Sequence, residues 1–119
     1  MRSVNYGNAT IQQTAIDVSN AADQVIAAAL AGSRVIVLAV DLVAAGAMSV
    51  QWENNPPTGG NTAIGGARTM ATGVPYALSS PEYGFLRSAL NNGLDLAVTG
   101  SVQLSGTVTW VYSNDTVDC

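Results

Sequence analysis

The chain has 119 residues, 48% of them hydrophobic and only 10% charged, with a net charge of −4. That length supports one domain with a single modest core and no need for metal or disulfides, and the hydrophobic fraction excludes a disordered chain. Four Arg, no Lys and no His exclude a basic nucleic-acid-binding surface, because phosphate affinity comes from clustered cations.

The chain reads as a polar N-terminal arm (residues 1–12), a β domain (residues 13–113) and a polar C-terminal tail (residues 114–119). Met1 to Asn8 is polar and lacks the apolar core of a signal peptide. Nothing in it points to export. Residues 13–18 alternate loosely and predict a first strand, closed by a turn at Ser19-Asn20. Asp23 to Leu30 is open to two readings. Its Ala content, an Asn20 cap and Gly32 as a stop fit a helix; a short strand over Gln24 to Ala28 fits the strand-rich sequence after it.

Arg34 to Ala44 is rich in Val, Ile and Leu and predicts a long buried strand. Asp41 within it requires an edge, a partner or a solvated face. Ala47 to Glu53 alternates, with Met48, Val50 and Trp52 on one side and Ala47, Ser49 and Gln51 on the other. Ala45-Gly46 between these strands predicts a tight hairpin. No run reaches the roughly 18 apolar residues that span a bilayer.

Asn54 to Asn61 contains Pro56-Pro57 and Gly59-Gly60 and predicts an exposed, stiff loop. Weaker strand material occupies residues 62–72. Gly73 to Pro81 reads as irregular, with Val74 and Tyr76 packing inward. Glu82 to Leu90 reads as a short helical turn, and Asn91-Asn92-Gly93 as a turn. Leu94, Leu96 and Val98 then alternate with Asp95, Ala97 and Thr99. Gly100 turns, Val102 and Leu104 alternate with polar neighbours, and Thr107 to Tyr112 reads as the closing strand. Many short strands between Gly turns predict a sandwich or barrel, and the lack of strand–helix–strand alternation argues against a parallel α/β fold.

Catalytic patterns are missing. Nucleophile–base designs need an imidazole or amine base. Glutamates occur only at Glu53 and Glu82, and no spacing pairs them for glycoside cleavage. Asp17, Asp41 and Asp95 read as solvated or edge positions. Gly59-Gly60 and Gly65-Gly66 lack the Lys-Ser/Thr of a phosphate loop. The lone Cys119 cannot form an intrachain disulfide, and without His it makes no zinc site. We therefore expect no enzyme, no cofactor and no metal. Trp52 and Trp110 fall in strands and read as core or subunit interface; a glycan platform is the other reading and needs exposed Trp or Tyr. The charge-poor composition fits surface buried against other protein or a neutral Ser/Thr-rich β surface in solvent.

Three stretches carry a family likeness: Arg34 to Trp52 (RVIVLAVDLVAAGAMSVQW), Ala89 to Leu96 (ALNNGLDL) and Val102 to Val111 (VQLSGTVTWV). Through them the chain, from about Thr14 to Tyr112, resembles small virion proteins of tailed bacteriophages found as head decoration or cement proteins. The motifs are patterns of strand and turn rather than active-site signatures, and the Pro-Pro loop and the tail ending in Cys119 depart from them. The resemblance implies an all-β, antiparallel, jelly-roll-like sandwich with an extended N-terminal arm, and favours strand over helix at residues 23–30. It also implies homotrimers on the capsid surface that hold major capsid protein subunits together. A receptor- or glycan-binding module of a fibre or tail is the competing role. Neither involves nucleic acid or membrane.

The expected contact segments are the arm, with Arg2, Tyr6 and Ile11, and the loop, with Asn54, Pro56, Pro57 and Asn61. Deleting residues 2–11 is expected to weaken assembly while leaving the β domain folded. Circular dichroism alongside particle binding checks this; loss of the β signal would make the arm a core strand.

Overall fold

A computed structural model describes residues 10–80 and 84–113 of the chain. Arg2, Tyr6, Glu82, Tyr83 and Cys119 lie outside the described residues, as do most of the arm and the tail. Among the described residues ten strands run in order: β1 (Gln12–Val18), β2 (Ala22–Ala27), β3 (Arg34–Ala44), β4 (Met48–Asn55), β5 (Thr62–Ala63), β6 (Arg68–Met70), β7 (Tyr76–Ser79), β8 (Leu86–Arg87), β9 (Gly93–Thr99) and β10 (Leu104–Ser113). The fold is all-β. Two five-stranded sheets pack face to face as a sandwich, the first ordered β1-β10-β3-β7 with β8 also on β3, the second β2-β9-β4-β5 with β6 also on β4. Every described pairing is antiparallel.

The pairings are nested. β1 pairs with β10 and β2 with β9, while β3 pairs with β7 and β8, and β4 with β5 and β6. Successive long strands therefore alternate between sheets. This corrects the hairpin expected at Ala45-Gly46. That link carries the chain from the first sheet to the second, and β3 and β4 do not pair. The Ala45 N–H instead donates to the Gln103 carbonyl across the same end of the sandwich (2.8 Å). Strand alternation fixes which side chains point inward, but a two-residue link between apolar strands serves either topology.

The core is built from the inward phase of the long strands. β4 supplies Met48, Val50 and Trp52; β9 supplies Leu94, Leu96 and Val98; β10 supplies Leu104, Val108 and Trp110. β3 contributes Val35 and Val37, and then Val40, Leu42 and Ala44. That change of phase comes from a bulge. Ala39 is opposite Thr109 and Val37 is opposite Trp110, so Leu38 is extra. Leu38 and Ile36 turn to the outer side and form a second small cluster with Val111. The bulge also serves the sheet edge. The Ser80 N–H bonds the Leu38 carbonyl (2.7 Å) and the Phe85 N–H bonds the Val37 carbonyl (3.0 Å). The chain thus leaves β3 after β7 and returns as β8 at the bulge.

The ambiguous segment forms strand β2 over Ala22–Ala27 rather than a helix, and residues 28–30 lie beyond the strand. A second bulge, where Val25 faces Asp95 and Ala27 faces Leu94, lets both Ile26 and Ala27 bury. Fully burying one aliphatic side chain contributes about 1.5–3 kcal/mol, which exceeds the fraction of a kcal/mol per residue that helix propensity offers.

Four further expectations need correction. Asn54 and Asn55 continue β4 rather than opening the loop. Residues 76–79 form β7 rather than irregular structure, and Val74 is 58% exposed rather than packed inward. Only Tyr76 packs inward there. Among the described residues of 82–90 there is no helical turn; Leu86–Arg87 is a short strand on β3. The closing strand also starts earlier than Thr107 and runs without a break from Leu104 to Ser113.

Gly106 lies within β10 with φ +145°, opposite Leu42. A Cβ there would collide with the Asp41 carbonyl oxygen of β3, so the close approach of the two central strands requires glycine. Gly106→Ala is expected to destabilise the fold by at least roughly 1–3 kcal/mol, the range of overpacked sites, with the denaturant midpoint as readout.

Candidate functional site

Both indoles are buried, and each belongs to a hydrogen-bonded link between the two sheets. Trp52 is 6% and Trp110 7% exposed. The Trp52 Nε1–H donates to the Tyr76 hydroxyl (2.9 Å), joining β4 of one sheet to β7 of the other. The Trp110 Nε1–H donates to Thr14 Oγ1 (2.8 Å), and that hydroxyl donates to the Ile26 carbonyl at the β2 bulge (2.8 Å), which completes a link from the first sheet to the second. Each inter-sheet link therefore stands near a different flank. Tyr112 packs edge-on against Trp110, ring centres 4.8 Å apart, and donates its hydroxyl to the Ala28 carbonyl (2.6 Å). Burial pushes the Tyr112 phenol pKa up. These aromatic groups fasten the core, as expected of Trp52 and Trp110, and their faces are not offered to a sugar.

The expected contact loop is partly turned inward. Pro57 to Gly60 is exposed, whereas Asn54, Asn55, Pro56 and Asn61 are half-buried. Asn54 Oδ1 accepts the Ala89 N–H (2.8 Å) and Asn55 Nδ2 donates to Asp95 Oδ1 (3.0 Å). Asn61 folds back over the second sheet, where its Nδ2 lies 2.9 Å from Asp95 Oδ2, 3.3 Å from Glu53 Oε1 and 3.5 Å from Asp23 Oδ2. The exposed part of this candidate surface is therefore the Pro57–Gly60 tip. Ile11, just before β1, is exposed.

Sequence reasoning missed this acidic face. Asp95 was expected to be solvated or at an edge, and it is 4% exposed on the second strand of its sheet. Glu53 sits directly opposite it in the β4–β9 register, a like-charge pair that costs stability unless donors intervene. The Asn55 and Asn61 amides supply those donors. The outward phase of Asp23, Glu53 and Asp95 was readable from strand alternation; their adjacency needed the strand order. Among the described residues no group of three or more His, Cys, Asp and Glu side chains is placed to hold a metal ion.

Two open depressions are lined by described residues. A trough of about 450 Å³ on the outer face of the first sheet is floored by small side chains, among them Ala39, Ala77, Ser79, Thr107 and Thr109, with exposed Asp41 at its centre. A cleft of about 290 Å³ opens between the sheet edges at β6, β7 and β8, lined by Trp52, Ile64, Tyr76, Phe85 and Leu86. The Arg68 guanidinium stacks over the Tyr76 ring there, 4.3 Å from its centre. Neither depression holds an imidazole or a lysine amine, since the chain has no His and no Lys.

No protein-family model matches the chain, and no curated protein and no solved structure matches it.

Asn61→Asp adds a carboxylate beside three others and removes their shared donor. It is expected to destabilise the fold by about 1–3 kcal/mol at neutral pH, the cost of an unsatisfied buried polar group, with a smaller loss at high salt. Thermal melts at two ionic strengths measure both.

Proposed function

We propose that this chain is a non-enzymatic virion structural protein: a jelly-roll decoration or cement protein. In this reading it binds the outer surface of a phage head as a homotrimer and stabilises contacts between major capsid protein subunits. The nested strand pairing carries it. Taking β5 and β6 as pieces of one edge strand, and β7 and β8 as pieces of another, reduces ten strands to eight positions. First then pairs with last, second with seventh, third with sixth and fourth with fifth. That order results from rolling up one long antiparallel hairpin, and jelly rolls of this kind serve as viral capsid domains.

Lectins share that architecture, and a glycan-binding module is the competing role. The burial of Trp52 and Trp110 weighs against it, because a sugar platform needs open aromatic faces. The lack of His and Lys, and the engagement of Asp95 and Glu53 by amides, favour a non-catalytic role.

The mechanism is mass action. Contacts that exist only on the assembled shell stabilise the shell, and threefold repetition multiplies a weak contact through avidity. Removing the Pro57–Gly60 tip tests whether the loop takes part.

The purified chain is expected to co-sediment with mature heads and raise their resistance to heat or osmotic shock. Absence of binding to expanded heads, together with unchanged head stability, would overturn the reading.

A further inference from the structure

We propose that copies of this chain dock head to tail, the β1–β2 flank of one against the β6–β8 flank of the next. The sheet orders place β1 and β2 as edge strands on one side of the sandwich, and β5–β8 on the other. Among the described residues, the β1 ladder is filled only on its β10 side. Its seven residues contain no Pro, a single charge and no bulge in register, so it lacks the devices that commonly blunt an exposed edge. Such an edge is a template for another chain.

Charge selects the occupant. Among the described residues, the β1–β2 flank carries two exposed carboxylates, Asp17 and Asp23, and no Arg. The opposite flank carries exposed Arg68, held over Tyr76 at the lip of the apolar cleft. One copy therefore presents the complement of its own far side. Exposed aliphatic groups accompany the acids, with Ile11 beside the start of β1 and Val25 on β2, and the cleft offers apolar walls of Ile64, Phe85 and Leu86.

A two-fold contact between β1–β2 flanks sets acid against acid. A heterologous contact sets Arg68 among Asp17 and Asp23, and contacts of this type close into rings when the rotation permits. The inference rests on the reading above only for the number of copies, three.

Sedimentation velocity of the full chain at one fixed concentration tests it. Wild type is expected at three chain masses. Asp17→Arg with Asp23→Arg is expected at one chain mass, and so is Arg68→Glu. All three substitutions in one chain are expected to recover the oligomer, because the charges are exchanged rather than lost. Arg68→Gln, a milder change, is expected to shift the distribution toward one chain mass, and melting curves verify that each variant is folded. A monomeric wild type, reversed variants that stay oligomeric, or no recovery in the combined variant would each overturn the head-to-tail contact. Binding of wild type to heads is measured separately: heads that bind while these variants do not behave as stated remove this inference and leave the decoration reading standing.

Discussion

The last strand makes the first sheet continuous. β10 lies between β1 and β3 and pairs with both along most of its length. Without it, β1 has no neighbour and the aliphatic run of β3 has one bare side. The same holds one layer away, where β9 fills the slot between β2 and β4. Both central strands of the closing half therefore depend on partners far back in sequence. Loop closure must precede the favourable contacts, so this topology favours slow, cooperative folding over piecewise assembly. Gly106 belongs to this constraint. It lets β10 approach the Asp41 carbonyl closely enough for the β3 ladder to form without displacing Leu42.

Fastening one sheet to the other falls to neutral groups. A chain with so few charged side chains has few ion pairs to place in the interior, and buried ion pairs contribute little net stability in any case. Here two indole N–H groups reach hydroxyls: Tyr76 on the opposite sheet in one case, and in the other Thr14 on the same sheet, whose hydroxyl goes on to bond across to β2. The second link ends on the Ile26 carbonyl at a bulge, where the β2–β9 register shifts. A bulge thus supplies a polar group to the sheet interface, and a hydroxyl satisfies it without introducing charge. Ser88 acts similarly at the end of β8, its Oγ accepting the Val35 N–H (2.9 Å) and donating to the Asn92 carbonyl (3.0 Å).

The elements were largely legible in the sequence; their neighbours were not. Strand alternation marked Met48, Val50 and Trp52, and Leu94, Leu96 and Val98, as inward, because a pleated strand has only two faces. It does not say which strand lies alongside. Ala45-Gly46 illustrates the gap: the same short link serves a hairpin or a crossing between sheets, and the difference lies in distant partners such as Gln103. Asp95 illustrates another. Its outward phase was readable, but burial depended on Asn61 arriving from a loop far earlier in the chain. Val74 misled because an aliphatic residue before a Pro reads as packing material, whereas its side chain is exposed.

The scarcity of charge gives each remaining charge more influence on orientation. In a chain with interspersed Lys and Glu, any two surfaces find partial complementarity, and a few carboxylates decide nothing. Here the described Arg residues lie on β3, β6 and β8, and the described carboxylates on β1, β2, β3, β4 and β9. The sandwich is therefore polarised from one flank to the other, with β3 as the strand that carries both signs. Electrostatic complementarity contributes to specificity and encounter more than to affinity. Affinity must come from apolar and backbone groups, which the unblunted β1 edge and the cleft beneath Arg68 provide. Of the acidic face of the second sheet, only exposed Asp23 belongs to this arrangement; Glu53 and Asp95 stand apart from it, because Asn55 and Asn61 already engage their oxygens. Those amides hold the loop to the sheet and leave the Pro57–Gly60 tip projecting as the part of that segment placed to touch another surface.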